Sequence, residues 1–520
     1  MKPGNIFCFF TCALALLCIA GVSVSQDATT LRFGSLIEKN NIQNHLNVLA
    51  SDSLEGRETG RAGQKKAAAF IADHFSSLGL APISHGKYFQ HHPITVRSNR
   101  GKNIEVHQKN FLFMKDYFFL PGFNDTLIVL DSILFVGYGI SEERYDDYNG
   151  LSVEGKAVLF FDGHPRERKI NVSSWSHDKK KKQDIIYKKK PSVVFMIVDS
   201  IDKIIDSLIY GVQTHDLQTG LQGPSIPTVF ITHEMAKTFF PEIDNEDLDK
   251  AKSFIDRKNK PRSFPVSTAA FVHLMANTDV LMGENVAGYL EGTDKKDEVV
   301  IITAHYDHLG VRDSLIYYGA DDNGSGTSAL MEMARVFAIA KKEGHGPRRS
   351  ILFMAVSGEE KGLRGSAYYV SHPLLPLEKT VVNLNCDMIG RTDRKHDSLG
   401  VRDYVYIIGA DKISTRLHLI NEAANSDYTK LKLDYQFNNE SDPNRYYSRS
   451  DHYNFVKHNI PIIFYFNGTH ADYHKPSDTI EKIDFDLLTK RAQLIFFTAW
   501  ELVNRDERIY PDVKKGVERE

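Results

Sequence analysis

Apolar and polar positions alternate in blocks along this chain, and the sharpest change falls between residues 298 and 326, EVVIITAHYDHLGVRDSLIYYGADDNGSG. The stretch opens with a near-continuous β-branched run, residues 299–302. That pattern predicts a strand buried on both faces, as in a parallel α/β sheet. The run ends in His305, Asp307 and His308; Asp321, Asp322 and a Gly-Ser-Gly turn come next, and SALMEMARVFAIA then has helical spacing. Groups able to bind metal therefore sit just past the end of a buried strand, where open α/β sheets bind ligands.

Three more apolar runs read as strands: SILFMAVS (350–357), TVVNLNCD (380–387) and IPIIFYFNG (460–468). Helical segments lie between them, and FDLLTKRAQLIFFTAWELVNR closes this region with apolar residues at helical spacing. Upstream, LRFGSLIEKNNIQNHLNVLAS predicts an amphipathic helix, and QKKAAAFIADHFSSLGL a second one stopped by Gly79. The loop between them, SLEGRETGRAG, reads as a solvated connection around Arg57. From about 104 short strands and turns dominate, giving a strand-rich unit over 125–275. It contains HDKKKKQDIIYKKK (177–190), read as a solvated charged face. Residues 512–520 read as a frayed charged tail. The chain then divides into 1–25, 26–124, 125–275, 276–511 and 512–520.

Composition changes this picture little. The 520 residues are 42% hydrophobic and 25% charged with net charge −3, which is ordinary for globular proteins. There is no basic field to attract nucleic acid. The N-terminus adds an address. Lys2, an apolar run over 6–22, and Ser23 and Ser25 at −3 and −1 predict an export signal ending before Gln26. A lipoprotein through Cys18 is disfavoured by the bulky Leu17 before it. The expected location is periplasmic or extracellular. Cys8, Cys12 and Cys18 leave with the signal, and Cys386 alone remains, so no intramolecular disulfide is expected.

The chemistry lies at the ends of the four strand-like runs. They deliver His305 and Asp307; Glu359 and Glu360; Asp387; and, through a loop, Tyr473, His474 and Asp478. Asp322 joins from the turn. So many carboxylates repel one another at contact unless cations neutralise them. Two Zn²⁺ would balance Asp322, Glu360, Asp387 and a hydroxide, with His305 and His474 as nitrogen ligands. Cys386 points the other way by strand alternation and reads as core.

AHYDHLG, GADDNGSG, SGEEKGLRGS, CDMIGR and YHKPSDT, in that order, resemble metallopeptidase family 28, the co-catalytic di-zinc aminopeptidases. EGRETGRAGQKKAAAFIADHFSSLGL resembles that family's N-terminal helical segment. FVGYGI and LSVEGKAVLF resemble, more loosely, the protease-associated domain that many members carry as an insert. The resemblance implies a mixed, mostly parallel central sheet flanked by helices, of zinc-exopeptidase type, with an inserted protease-associated domain. It implies His305 and Asp387 on one zinc, Glu360 and His474 on the other, and Asp322, not Asp321, bridging both. Glu359 would be the general base and Asp307 would hydrogen-bond His305. Tyr473 would polarise the scissile carbonyl, and Asp478 would support His474. Asp451 and His452, in SDHYNF, match a motif near the site as structural or substrate-contact residues. His308 reads as a loop or supporting residue.

The expected activity is that of an aminopeptidase acting on peptides. A zinc carboxypeptidase or glutaminyl cyclase of the same fold, and a catalytically inactive receptor-like protein, are the competing readings. Mn²⁺ or Co²⁺ in place of zinc, and a homodimer, stay open. Specificity is expected in loops 391–402 and 428–450.

Overall fold

A computed structural model describes residues 27–119, 126–165, 179–204, 226–240, 247–312 and 314–513. The expected export signal and most of the expected charged tail lie outside these residues. Among the described residues, no helix is long and apolar enough to cross a membrane.

The predicted strands form one side of a mixed sheet. Lys295–His305 lies between Arg349–Val356 and Thr380–Cys386, parallel to both, and Ile462–Phe466 continues the parallel array. All four carboxyl ends therefore emerge at one rim. The apolar run is continuous because both faces are covered. Val300, Ile302 and Ala304 turn to one core, with Gly326–Lys342 and Phe485–Asn504 above it. Val299 and Ile301 turn to the opposite core, with Tyr369 and Phe455. Cys386 lies in the first of these cores, as its alternation predicts.

Two strands at this edge are additions to the sequence reading. Tyr404–Ile408 pairs antiparallel with Ile462–Phe466, and Lys432–Asp434 pairs parallel with Tyr404–Ile408. The second falls inside the expected 428–450 loop. The N-terminal helical stretch is two helices, Ala28–Gly34 and Lys39–Leu49. Ala28–Gly34 is capped by Asp27, whose carboxylate accepts from Thr29 N and Thr30 N. Phe33 stacks on Trp500 at 5.3 Å and so seats this helix on the C-terminal one. Asp512 accepts from Thr415 N and Oγ1, so the tail is anchored at its start.

On the other side of Arg349–Val356 runs a strand that belongs to two lobes. Ser263–Leu290 pairs through 286–290 with Arg349–Val356 and through 263–274 with Thr126–Val136, and Phe89–Val106 runs antiparallel along it. Beyond Thr126–Val136 the sheet continues through Ala157–Phe161, Val193–Val198 and Thr228–Thr232, all parallel, and ends on antiparallel Tyr117–Phe119. This second lobe has its own cores. Ile104, Val106, Phe111, Tyr117 and Phe119 pack in it, so its chain begins earlier than the expected 125. The lysine run forms the helix Lys179–Lys188. It is not a wholly solvated face: Lys182 is buried and donates to the Gly163 carbonyl.

Candidate metal centre

His305 is the last residue of its strand, and Asp387 directly follows Thr380–Cys386. Glu359 and Glu360 follow Gly358, which takes a left-handed φ of +76° as the chain leaves Arg349–Val356. Asp322 sits in the turn before Gly326–Lys342, and its peptide bond to Asn323 is cis. Asn323 ties that turn to the Asp387 loop: its Nδ2 donates to the Cys386 carbonyl, and its Oδ1 accepts from Met388 N.

These side chains converge. Asp322 Oδ1 lies 3.4 Å from His305 Nε2, and Asp387 Oδ1 lies 3.3 Å from the same nitrogen. The other Asp322 oxygen, Oδ2, lies 2.9 Å from His474 Nε2, which is 3.3 Å from Glu360 Oε1. Asp322 thus faces two donor groups at once. His305, Asp322 and Asp387 form one buried set with atoms close enough to share an ion, and His308, Asp322 and Glu360 form another. In tetrahedral zinc sites, bonds of about 2.0–2.2 Å put neighbouring donors about 3.3–3.6 Å apart, close to the separations here.

The electrostatics point the same way. Burial pushes the His305 and His474 imidazoles down, but the surrounding carboxylates win; His305 ends well above its ordinary value and His474 at about 10. Burial raises Asp322 and Glu360, yet the imidazoles hold both below the usual carboxylate range. Without a metal, protons on the histidines supply the positive charge that the cluster demands. Dications would supply it and leave the imidazoles neutral as ligands. The donor set therefore fits divalent zinc.

Supporting bonds run beneath the candidate ligands. Ser450 Oγ donates to Asp387 Oδ2 at 2.6 Å and accepts from Asn385 Nδ2. Thr303 Oγ1 donates to Asn385 Oδ1. His305 Nδ1 lies 3.2 Å from the Asp307 carbonyl, which favours the tautomer that leaves Nε2 facing the carboxylates.

Several expected roles change. The Asp307 carboxylate stands 3.8 Å from His305 Nδ1; it accepts instead from Thr59 Oγ1 at 2.6 Å and from Glu359 N at 3.3 Å. Asp307 thus positions the Glu359 turn, and only its carbonyl addresses His305. Asp478 does not support His474; its carboxylate accepts from the backbone of Asp321 and Asp322 at 3.1–3.2 Å. His452 faces away from the site, with Nε2 2.9 Å from the Tyr447 carbonyl and its ring on Phe464. Asp451 accepts from Ser366 Oγ, and burial pushes its carboxyl up to about 7. Tyr473 stacks on His474 at 3.9 Å, and its hydroxyl accepts from Arg449 Nη2 at 3.4 Å. Asp321 points to the far side, 3.2 Å from His470 Nε2.

The largest departure is Arg57. It is 0% exposed, and its guanidinium donates to the carbonyls of Tyr306, Leu49, Tyr318 and Gly319. The loop that reads as solvated is a buried clamp on the two segments carrying His305 and Asp322. Its acceptors come from three stretches, two of them far away in the chain, so no local pattern marks it.

The mixed α/β fold is of the zinc-exopeptidase type. Residues 285–499 match the model of peptidase family M28. Aminopeptidase YwaD from Bacillus subtilis is 28% identical over 221 residues, covering 41% of this chain and 43% of that protein. A probable zinc metalloprotease from Pyrenophora tritici-repentis is 26% identical over 348 residues, covering 59% and 67%. Alignments thus span roughly half to two thirds of these relatives. Among solved structures, the aminopeptidase from Aneurinibacillus sp. strain AM-1 shares the fold with TM-score 0.58 at 18% identity, over 93% of this chain and 98% of that one. The zinc aminopeptidase of Bacillus subtilis gives TM-score 0.54 at 20% identity, over 92% and 99%.

Proposed function

We propose that the protein is an exported di-zinc aminopeptidase, with His305 and Asp387 on one ion, Glu360 and His474 on the other, and Asp322 between them. The observation that carries this reading is the Asp322 carboxylate, one oxygen toward His305 and the other toward His474. When bound, the metals supply a water of lowered pKa and polarise a carbonyl. Glu359 would carry the proton transfers, a reading supported by its Oε2 lying 4.0 Å from His305 Nε2. Burial raises its carboxyl well above the ordinary value, so it takes a proton readily and can return it to the leaving amine. Asp307, through the Glu359 N–H, holds that base in place. Arg449 donates to the Tyr473 oxygen, which frees the hydroxyl proton to meet the developing oxyanion. The second lobe is read as the protease-associated insert.

The test is a substrate panel on the zinc-loaded mature chain: a chromogenic amino-acid amide, its N-blocked counterpart, a C-terminally free peptide and an N-terminal Gln peptide. Cleavage of the free amide with the blocked one intact supports the aminopeptidase. Release of C-terminal residues, or cyclisation of Gln alone, assigns the site to one of its rivals. No turnover of any substrate with two zincs bound refutes a peptidase.

A further inference from the structure

A pocket of about 290 Å³ lies at the end of the sheet away from the candidate metal ligands. Thr380, in its wall, opens the strand whose far end delivers Asp387, and Pro461 directly precedes Ile462–Phe466. The C-terminal stretch 508–511 lines it as well. It shares no residue with the cluster around His305. Small-molecule pockets start at about 300 Å³, so this one suits a ligand of roughly amino-acid size.

Two kinds of wall meet in it. Val381 and Ile460 give an apolar side, and each is held by a different core behind it. Leu377 extends that side. Arg508 brings a cation. Its Nη2 donates to the carbonyls of Glu378 at 2.7 Å and Thr380 at 3.0 Å, and its guanidinium lies over the Tyr510 ring at 5.7 Å. Those contacts fix the guanidinium without neutralising it. Among the described residues Arg508 has no carboxylate partner, and its buried Nε has no hydrogen-bond partner. Arg348 and Arg349 differ, since the first pairs with Asp294 and Asp506 and the second with Glu298. Thr380 is 4% exposed, and its Oγ1 also lacks a partner. Buried polar groups rarely stay unpaired. Glu378 and His458 line the exposed side, where water screens their charge.

We infer that this pocket binds a small carboxylate with an apolar body: the carboxylate on Arg508, the body against Leu377, Val381 and Ile460. A planar guanidinium held in place by carbonyls is suited to a carboxylate, and binding there would supply the counter-charge that the protein withholds. Free apolar amino acids and simple branched acids both carry this chemistry. The inference is independent of the metal proposal, because no atom of that cluster takes part.

The test is titration of the isotope-labelled full chain with L-leucine, 4-methylpentanoate, 4-methylpentanamide and acetate, followed through side-chain methyl resonances. Saturable shifts at Leu377, Val381 and Ile460 are expected with leucine, 4-methylpentanoate or both, and which of them binds identifies the source. The amide, which lacks the charge, and acetate, which lacks the body, should each bind about tenfold or more weakly. Arg508→Gln should lose a similar factor. The inference is overturned if neither acid shifts these methyls, if the amide matches the acids, or if Arg508→Gln keeps the parent affinity. If that variant does not fold, the comparison of acid with amide on the parent chain decides.

Discussion

Replacing Arg57 by Met keeps much of the side-chain volume and removes the donor to four carbonyls. Each buried acceptor left without a partner costs about 1–3 kcal/mol. If water reaches half of them, two remain dry, and the loss is about 2–6 kcal/mol. Burial lowers the Arg57 pKa only to about 10, so the lost charge is a full one at neutral pH. Lys keeps the charge but not the planar fork, and cannot reach acceptors on three segments at once. Arg57→Lys should therefore fall between parent and Met. The assay is chemical denaturation of the metal-free chain, with hydrogen exchange over residues 305–324 as a local reader. Exchange there should quicken before the rest of the domain, because Arg57 joins the Tyr306 and Gly319 segments. A Met variant within about 0.5 kcal/mol of the parent, with unchanged exchange at 305–324, would mean that the clamp contributes nothing.

Glu359→Gln should keep the metal content of the parent, measured by elemental analysis, while kcat falls by about 10²–10⁴. Ser450→Ala strips Asp387 of its 2.6 Å donor and should cost about 10–100-fold in affinity at one metal site, read by chelator competition. Zinc binding near pH 7 should release protons from His305 and His474, both raised in the metal-free cluster, and calorimetry in buffers of different ionisation heat should show it. In the second lobe, burial lifts the Asp147 carboxyl from 3.8 to about 7 while Oδ2 accepts from Tyr138 N and Ile140 N. The folded state holds that proton longer than the unfolded one, so its stabilising effect is full below about pH 4 and lost as pH rises through 7. Asp147→Asn should flatten this dependence in denaturation curves taken across the same range.

The parts of the molecule that could be read in advance are those with a local signature. The four central strands announce themselves because burial on both faces leaves no room for polar alternation, and their ends carry the acids. The Asp322 turn and Glu359–Glu360 pair are similarly marked by glycines around them. Tyr404–Ile408 escaped because a five-residue run beside Asp403 and Gly409 looks like loop. The roles of Arg57, Thr59 and Asp478 escaped for another reason. Their partners lie far away in the chain: Thr59 meets Asp307, and Asp478 meets the Asp321 and Asp322 backbone. A charged residue in a glycine-rich loop reads as solvated until the fold supplies its carbonyls. His308 shows the same limit within a motif, since its neighbours Glu360 and Asp322 come from separate loops.

The ladder of Ser263–Leu290 ties both lobes to one register. A slip by a single residue would turn over the inward-facing rows in each interior, Val272 and Leu274 at one end and Val286 and Leu290 at the other. Neither lobe can hinge at this strand without breaking pairs in the other. A graft that exchanged the second lobe would have to preserve the phase of this ribbon, because the pleat that seats the foreign core also sets the edge on which Arg349–Val356, and behind it the proposed metal ligands, are hung.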